Sequence, residues 1–211
     1  MSRAPIRARP TSAARAGARA PARARRQPAV AAAARALTVT TRSAEATARL
    51  GRRLGQLLRP GHVVGLVGDL GAGKTQLSRG ACQGAGVEPG DVSSPTFAIV
   101  QTYRGRLPIH HADLYRLGDV DELYATGFMD LLGGEGALLV EWADRLAGWL
   151  PPEHLIIRLA EVDGHPTWRR LALEPAGARH AELAGALTRP MGPAAKARTR
   201  ARKRAGVKRA R

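Results

Sequence analysis

The sequence predicts an α/β fold built on a mainly parallel sheet, with helices on both faces and one antiparallel hairpin. Three observations carry that expectation. Apolar runs of strand length alternate with helical periodicity through residues 37–188. A Gly-rich loop, Gly68-Asp69-Leu70-Gly71-Ala72-Gly73-Lys74-Thr75, leads from one such run straight into a helix. A second run, Ala137-Leu138-Leu139-Val140, ends in the carboxylate of Glu141, at the strand end where sheets of this class bind ligands.

The elements follow in order. Leu37 to Thr41 alternates like a strand. Ser43 is placed to cap a helix whose Ala46, Leu50, Leu54 and Leu58 fall on one face, and Pro60-Gly61 ends it. Val63 to Val67 is an apolar run short enough for a buried strand, and the helix after the Gly-rich loop extends to about Ala85 before Gly86, Pro89 and Gly90. Phe97–Tyr103 and Leu107–His111, separated by Arg104-Gly105-Arg106, read as a hairpin. A helix begins at Asp119 or Asp121 and runs through Tyr124. Ala137–Glu141 is a buried strand, Leu155–Leu159 and Arg169–Leu173 are the last strands, and Ala178–Leu187 is a closing helix.

The Gly-rich loop is a complete G-x-x-x-x-G-K-[ST] motif in its proper strand and helix context, which makes the fold P-loop NTPase-like and the chain a nucleotide binder. Its glycines let the backbone wrap a phosphate with N–H groups inward, and the following helix adds its positive N-terminal end. Lys74 is expected to neutralise the β- and γ-phosphates and the Thr75 hydroxyl to bind Mg²⁺. Gln76 extends the nucleotide-binding set that begins at Gly68. Asp113, in His111-Ala112-Asp113-Leu114-Tyr115-Arg116, ends another strand-like run and is a second candidate beside Glu141 for the metal or the attacking water. Thr96, in Ser94-Pro95-Thr96-Phe97, is a candidate for sensing the γ-phosphate. His111 reads as a hydrogen-bonding support, and Trp142 as either core packing or an aromatic wall beside the nucleotide.

Charge divides sharply by position. Residues 1–36 hold nine Arg and residues 189–211 hold ten Lys or Arg, with no acid in either. Of 34 basic residues, 15 therefore remain for residues 37–188, against all 17 acidic ones, so the net +17 belongs to the tails. Both tails have few large apolar side chains and are expected to be disordered, flanking one domain over residues 37–188. Residues 1–36 lack an apolar signal-peptide core; their Arg-rich composition overlaps with transit peptides, but they are poor in Ser and the far end has a matching tail. The single cysteine, Cys82, excludes an internal disulfide framework and suits a reducing compartment such as the cytoplasm. No apolar run approaches membrane-spanning length.

The phosphate loop, Ser94-Pro95-Thr96-Phe97, His111-x-Asp113-Leu114-Tyr115-Arg116-Leu117 and Glu141-Trp142, in that order, closely resemble the TsaE (YjeE) family of small bacterial ATPases. The resemblance spans roughly residues 38–175. It implies an ATP-binding, ATP-hydrolysing subunit needed for threonylcarbamoyladenosine formation in tRNA, acting with TsaD and TsaB and reaching tRNA through that complex. It also implies that Thr75, Asp113 and Glu141 serve Mg²⁺ and the reacting water. Gln76 departs from the second Thr common in the family, and Ala143-Asp144-Arg145 follows Glu141-Trp142 where many members have Pro-Glu. The tails lie outside the family pattern; weak nucleic-acid contact is their one expected activity. Competing readings are a small-molecule kinase using Arg104, Arg106 and Arg116, and an RNA-binding accessory protein. A guanine-specific switch protein is disfavoured, because the chain contains no Asn for a base-reading Asn-Lys-x-Asp motif.

Overall fold

The computed structural model describes residues 37–92, 100–117, 123, 127–132, 134–146 and 148–189. Residues 1–36, the C-terminal tail after Arg189, the Ser94–Phe97 loop and all of the expected helix around Asp119–Tyr124 except Leu123 lie outside the described residues.

Among the described residues, seven strands form one sheet: β1 (Leu37–Thr41), β2 (Val63–Val67), β3 (Val100–Arg104), β4 (Pro108–Asp113), β5 (Ala137–Glu141), β6 (His154–Val162) and β7 (His165–Ala176). The helices whose bounds fall within the described residues are α1 (Ala44–Leu57), α2 (Lys74–Gly84) and α3 (Ala178–Thr188), with short 3-10 turns at Phe128–Leu131 and Ala143–Leu146. The strand order is β1-β7-β6-β2-β5-β4-β3. Pairing is parallel through the centre, β6·β2, β2·β5 and β5·β4, and antiparallel at the two flanks. The expected hairpin is β3·β4. The last two expected strands are longer than their apolar runs and form a second hairpin, closed around Asp163-Gly164.

Parallel strands are buried on both faces, which is why β2 and β5 are almost wholly apolar. Alternate residues of the central strands serve two cores. Leu66, Leu139, Ile157 and Leu173 pack with Leu54, Leu77 and Leu183 of the three helices on one face. Val63, Leu138, Val140 and Ile156 pack on the other with Leu114, the helical Leu123, Phe128 and Leu146. Cys82 is fully buried on α2, and burial pushes its thiol pKa up to about 12.

The Ser43 Oγ accepts from the Ala46 N–H and so caps α1 as its position predicts. Where α1 crosses α2, both helices present glycine at a spacing of four: Gly51 and Gly55 on one, Gly80 and Gly84 on the other. A Cβ added at any of them would fall 1.9–2.3 Å from a backbone carbonyl oxygen of the facing helix. The two backbones therefore touch directly, and this contact seats the helix that begins at Lys74.

Candidate functional site

The site assembles at the C-terminal ends of the parallel strands. Register places Glu141 of β5 level with Leu66 of β2 on one side and with Asp113 of β4 on the other. The phosphate loop leaves β2 one residue later, so the loop and the two carboxylates converge on one cleft. Gly68 (φ 150°) and Gly73 (φ 100°) hold left-handed backbone that a side chain rarely adopts, and a Cβ on Gly68 would meet the Leu159 carbonyl oxygen at 2.3 Å. Gly73 is the N-cap of α2, so Lys74 and Thr75 open the helix at its electropositive end.

The cleft has a volume of about 300 Å³. Gly71, Gly73, Lys74, Thr75 and Gln76 line one side, with Leu70 at the rim; Asp113, Tyr115, Glu141 and Trp142 line the other. Leu70 is 79% exposed. The Lys74 Nζ donates to the carbonyls of Gly68 (2.6 Å) and Asp69 (2.9 Å) and stands 3.7 Å from the Trp142 ring centroid, a cation–π distance. Burial lowers its pKa, against the opposing pull of Glu141, Asp113, Asp144 and Asp69. Trp142 adopts φ 60°, a left-handed conformation costly for a bulky residue. It turns the indole over Lys74 and beside Tyr115, 5.1 Å between centroids, while part of the ring packs on the second core. Trp142 thus packs on the second core and also lines the cleft.

Glu141 is buried and fully engaged. Oε2 accepts from Thr75 Oγ1 (2.8 Å), and Oε1 from Ser78 Oγ (2.5 Å) and His111 Nε2 (2.9 Å). A carboxylate only accepts, so His111 carries its proton on Nε2; its Nδ1 is buried without a partner among the described residues. Burial by itself would raise the Glu141 pKa, yet hydrogen bonds from His111, Ser78 and Thr75 hold it below the usual value. Asp113 is more open: Oδ1 accepts the Tyr115 N–H at 3.0 Å. Among the described residues no cluster of three His, Cys, Asp or Glu is spaced to hold a metal.

Sequence reasoning missed three residues that shape this site. Ser78 lies one helical turn after Thr75, a spacing that puts both hydroxyls on one face of α2. Tyr115 forms the outer wall. Arg169 of β7 donates to the carbonyls of Ala72 and Gly71, each at 3.2 Å, and pairs with Glu161 at 3.1 Å, holding the outside of the phosphate loop. No local signal marks it, since it lies 97 residues from Ala72. Of the arginines a small-molecule kinase would use, Arg106 donates instead to the carbonyls of Gly55 and Leu58 at the end of α1. Arg104 sits at the far end of the β3·β4 hairpin, five residues and about 17 Å of strand from Asp113. Thr96 lies outside the described residues.

Residues 41–170 match the family described as threonylcarbamoyl adenosine biosynthesis protein TsaE. A Treponema pallidum protein named tRNA threonylcarbamoyladenosine biosynthesis protein TsaE is 40% identical over 119 residues, covering 56% of this chain and 87% of that protein. A Bacillus subtilis protein of the same name is 35% identical over 150 residues, covering 71% and 92%. The crystal structure of YdiB from Bacillus subtilis shares 32% identity at a TM-score of 0.57, over 73% of this chain and 95% of that one.

Proposed function

Because the chain belongs to the TsaE family, we propose that it takes part in threonylcarbamoyladenosine formation in tRNA by binding and hydrolysing ATP with Mg²⁺ in the phosphate-loop cleft. One observation carries the proposal: Lys74 and Thr75 face Asp113 and Glu141 across a single cleft at the strand ends.

The donors fit a hard cation. They are a hydroxyl and two carboxylates, too few for an all-protein cage but apt for Mg²⁺, which keeps waters and takes phosphate oxygens as ligands. Mg²⁺, when bound, neutralises charge on the triphosphate and orients it for attack. The chain does the rest. Lys74 exchanges the backbone carbonyls of Gly68 and Asp69 for phosphate oxygens. Thr75 sends its proton to Glu141 and thereby turns its lone pairs outward. Glu141, kept ionised by three donors, fixes Thr75 and Ser78 rather than reaching far itself. Asp113, with Oδ2 unengaged among the described residues, is the carboxylate placed to orient water.

Family membership supports TsaD and TsaB as partners, with tRNA reached through that complex. Phosphate-loop catalysis often waits for a partner to order its switch elements, so slow hydrolysis by the isolated chain is expected. Reconstituting tRNA modification with TsaD and TsaB, with and without this chain, tests the role. Equal repeated turnover in its absence would refute it even if the ATPase is real.

A further inference from the structure

A second groove, of about 510 Å³, opens where β1, the last strand of the sheet on that side, meets α1 and the end of α3. Arg42, Arg49, Arg53 and Arg189 line it, over a floor that includes Leu50 and Leu187, and among the described residues no Asp or Glu lines it. Glu45 acts on Arg49 from outside the lining; four guanidinium charges less that one carboxylate leave three positive charges in one concavity. Arg53 is fixed in place, donating to the carbonyls of Ala186 (2.8 Å) and Arg189 (2.6 Å). At the lip, the Arg42 guanidinium lies 4.7 Å from the Trp168 ring centroid, and His165 stacks on Trp168 at 4.0 Å with an interplanar angle of 13°.

We propose that this groove binds the sugar–phosphate backbone of RNA, with the Trp168–His165 stack taking an adjoining base. Charge complementarity selects a polyanion. The chain's own tails are excluded as occupants, since residues 1–36 and 189–211 carry nine and ten basic residues and no acid. Arginines that neutralise phosphates beside an aromatic platform are the elements of single-strand recognition. A lipid surface would call for a protruding apolar face instead of a concave one. The proposal does not depend on nucleotide hydrolysis.

The test uses the full chain, so residues 1–36 and 190–211 contribute equally to every variant. Affinity for an unstructured RNA and for a tRNA transcript is measured across a salt series for the wild type, for R42Q/R49Q/R189Q and for Trp168→Ala. The triple variant should lower the slope of log K against log salt by about 2 on single-stranded RNA, roughly 0.7 per lost contact. Trp168→Ala should weaken binding about ten-fold or more with the slope unchanged. ATP affinity should hold in all of them, and R42K/R49K/R189K should restore the slope. An unchanged slope in the triple variant would assign RNA binding to the tails and overturn the proposal. So would an equal loss of binding to phosphatidylserine vesicles, which would show a general anion site. Should the glutamine variant fail to bind ATP and hence to fold, Trp168→Ala decides alone, and wild-type RNA affinity there refutes the groove.

Discussion

Gly55→Ala should destabilise the domain although alanine is the better helix former. The new Cβ would lie 1.9 Å from the Ala81 carbonyl oxygen and 2.8 Å from both the Ala81 carbonyl carbon and the Ala85 nitrogen. All three are backbone atoms, so no side chain can swing aside. Ordinary contact starts near 3.4 Å, so α1 must retreat from α2 by about 1.5 Å. That retreat loosens Leu50, Leu54 and Leu58, each at most 6% exposed. Overpacking of this kind costs about 3 kcal/mol, and the gain in helix propensity returns about 1, leaving a loss of about 2 kcal/mol. For a domain of this size the melting temperature should fall by about 4–8 °C. Gly185→Ala is the matched control, because Gly185 lies within α3 with nothing within 4 Å of an added Cβ; it should stabilise by up to about 1 kcal/mol. Urea and thermal unfolding of the two variants beside the wild type decide the matter. A Gly55→Ala protein as stable as Gly185→Ala would mean that the helices do not meet backbone to backbone.

Lys74→Ala should abolish most ATP affinity and Thr75→Ala should chiefly remove its Mg²⁺ dependence; calorimetric titration giving wild-type affinity for the lysine variant would sink the nucleotide site. Asp113→Asn and Glu141→Gln should keep near-native ATP binding and lose hydrolysis by an order of magnitude or more, measured as phosphate release with TsaD and TsaB present. Stability should also decline with acid through His62, whose pKa is lowered to about 4 by burial and by the charges of His180, Arg179 and Arg59. The unfolded chain takes up this proton first, so the contribution is intact above pH 6.5 and is lost as pH falls towards 4, reaching about 2 kcal/mol by pH 5. Urea midpoints for the wild type and His62→Leu at pH 8 and pH 5 test this: the pH dependence should shrink in the variant, and an identical decline in both would remove His62 from the account.

The legible parts of this fold are those written in local chemistry. Ser43 before an apolar stripe of period four announced α1, and the phosphate loop fixed β2 and the start of α2. The β6·β7 hairpin was under-read because its outer halves, such as Ala160–Val162 and His165–Trp168, are largely exposed and carry no apolar run, although Asp163-Gly164 is a strong turn signal. The paired glycines of α1 and α2 passed unnoticed for a related reason: periodicity analysis counts side chains, and here the contact is made by their absence. In the site, the Gly68–Thr75 motif was legible from its spacing. Thr75, His111 and Glu141 were each legible as site residues, but Ser78 and the hydrogen bonds that join the four were not, since 66 residues separate Thr75 from Glu141 and only the sheet register brings them together.

The strand order has a further consequence for how the chain is made. Among the described residues β1 is hydrogen-bonded to β7 alone, with Leu37 opposite Leu173, so β1 leaves the ribosome long before the strand it pairs with has been synthesised. The central β2, β5 and β4 can associate earlier, but the sheet's flank closes only when nearly the whole domain is out of the exit tunnel. Chain closure over so long a span is slow relative to local pairing. Until then the nascent chain carries an unpaired strand with Val39 facing no core, a segment for a chaperone to shield during translation.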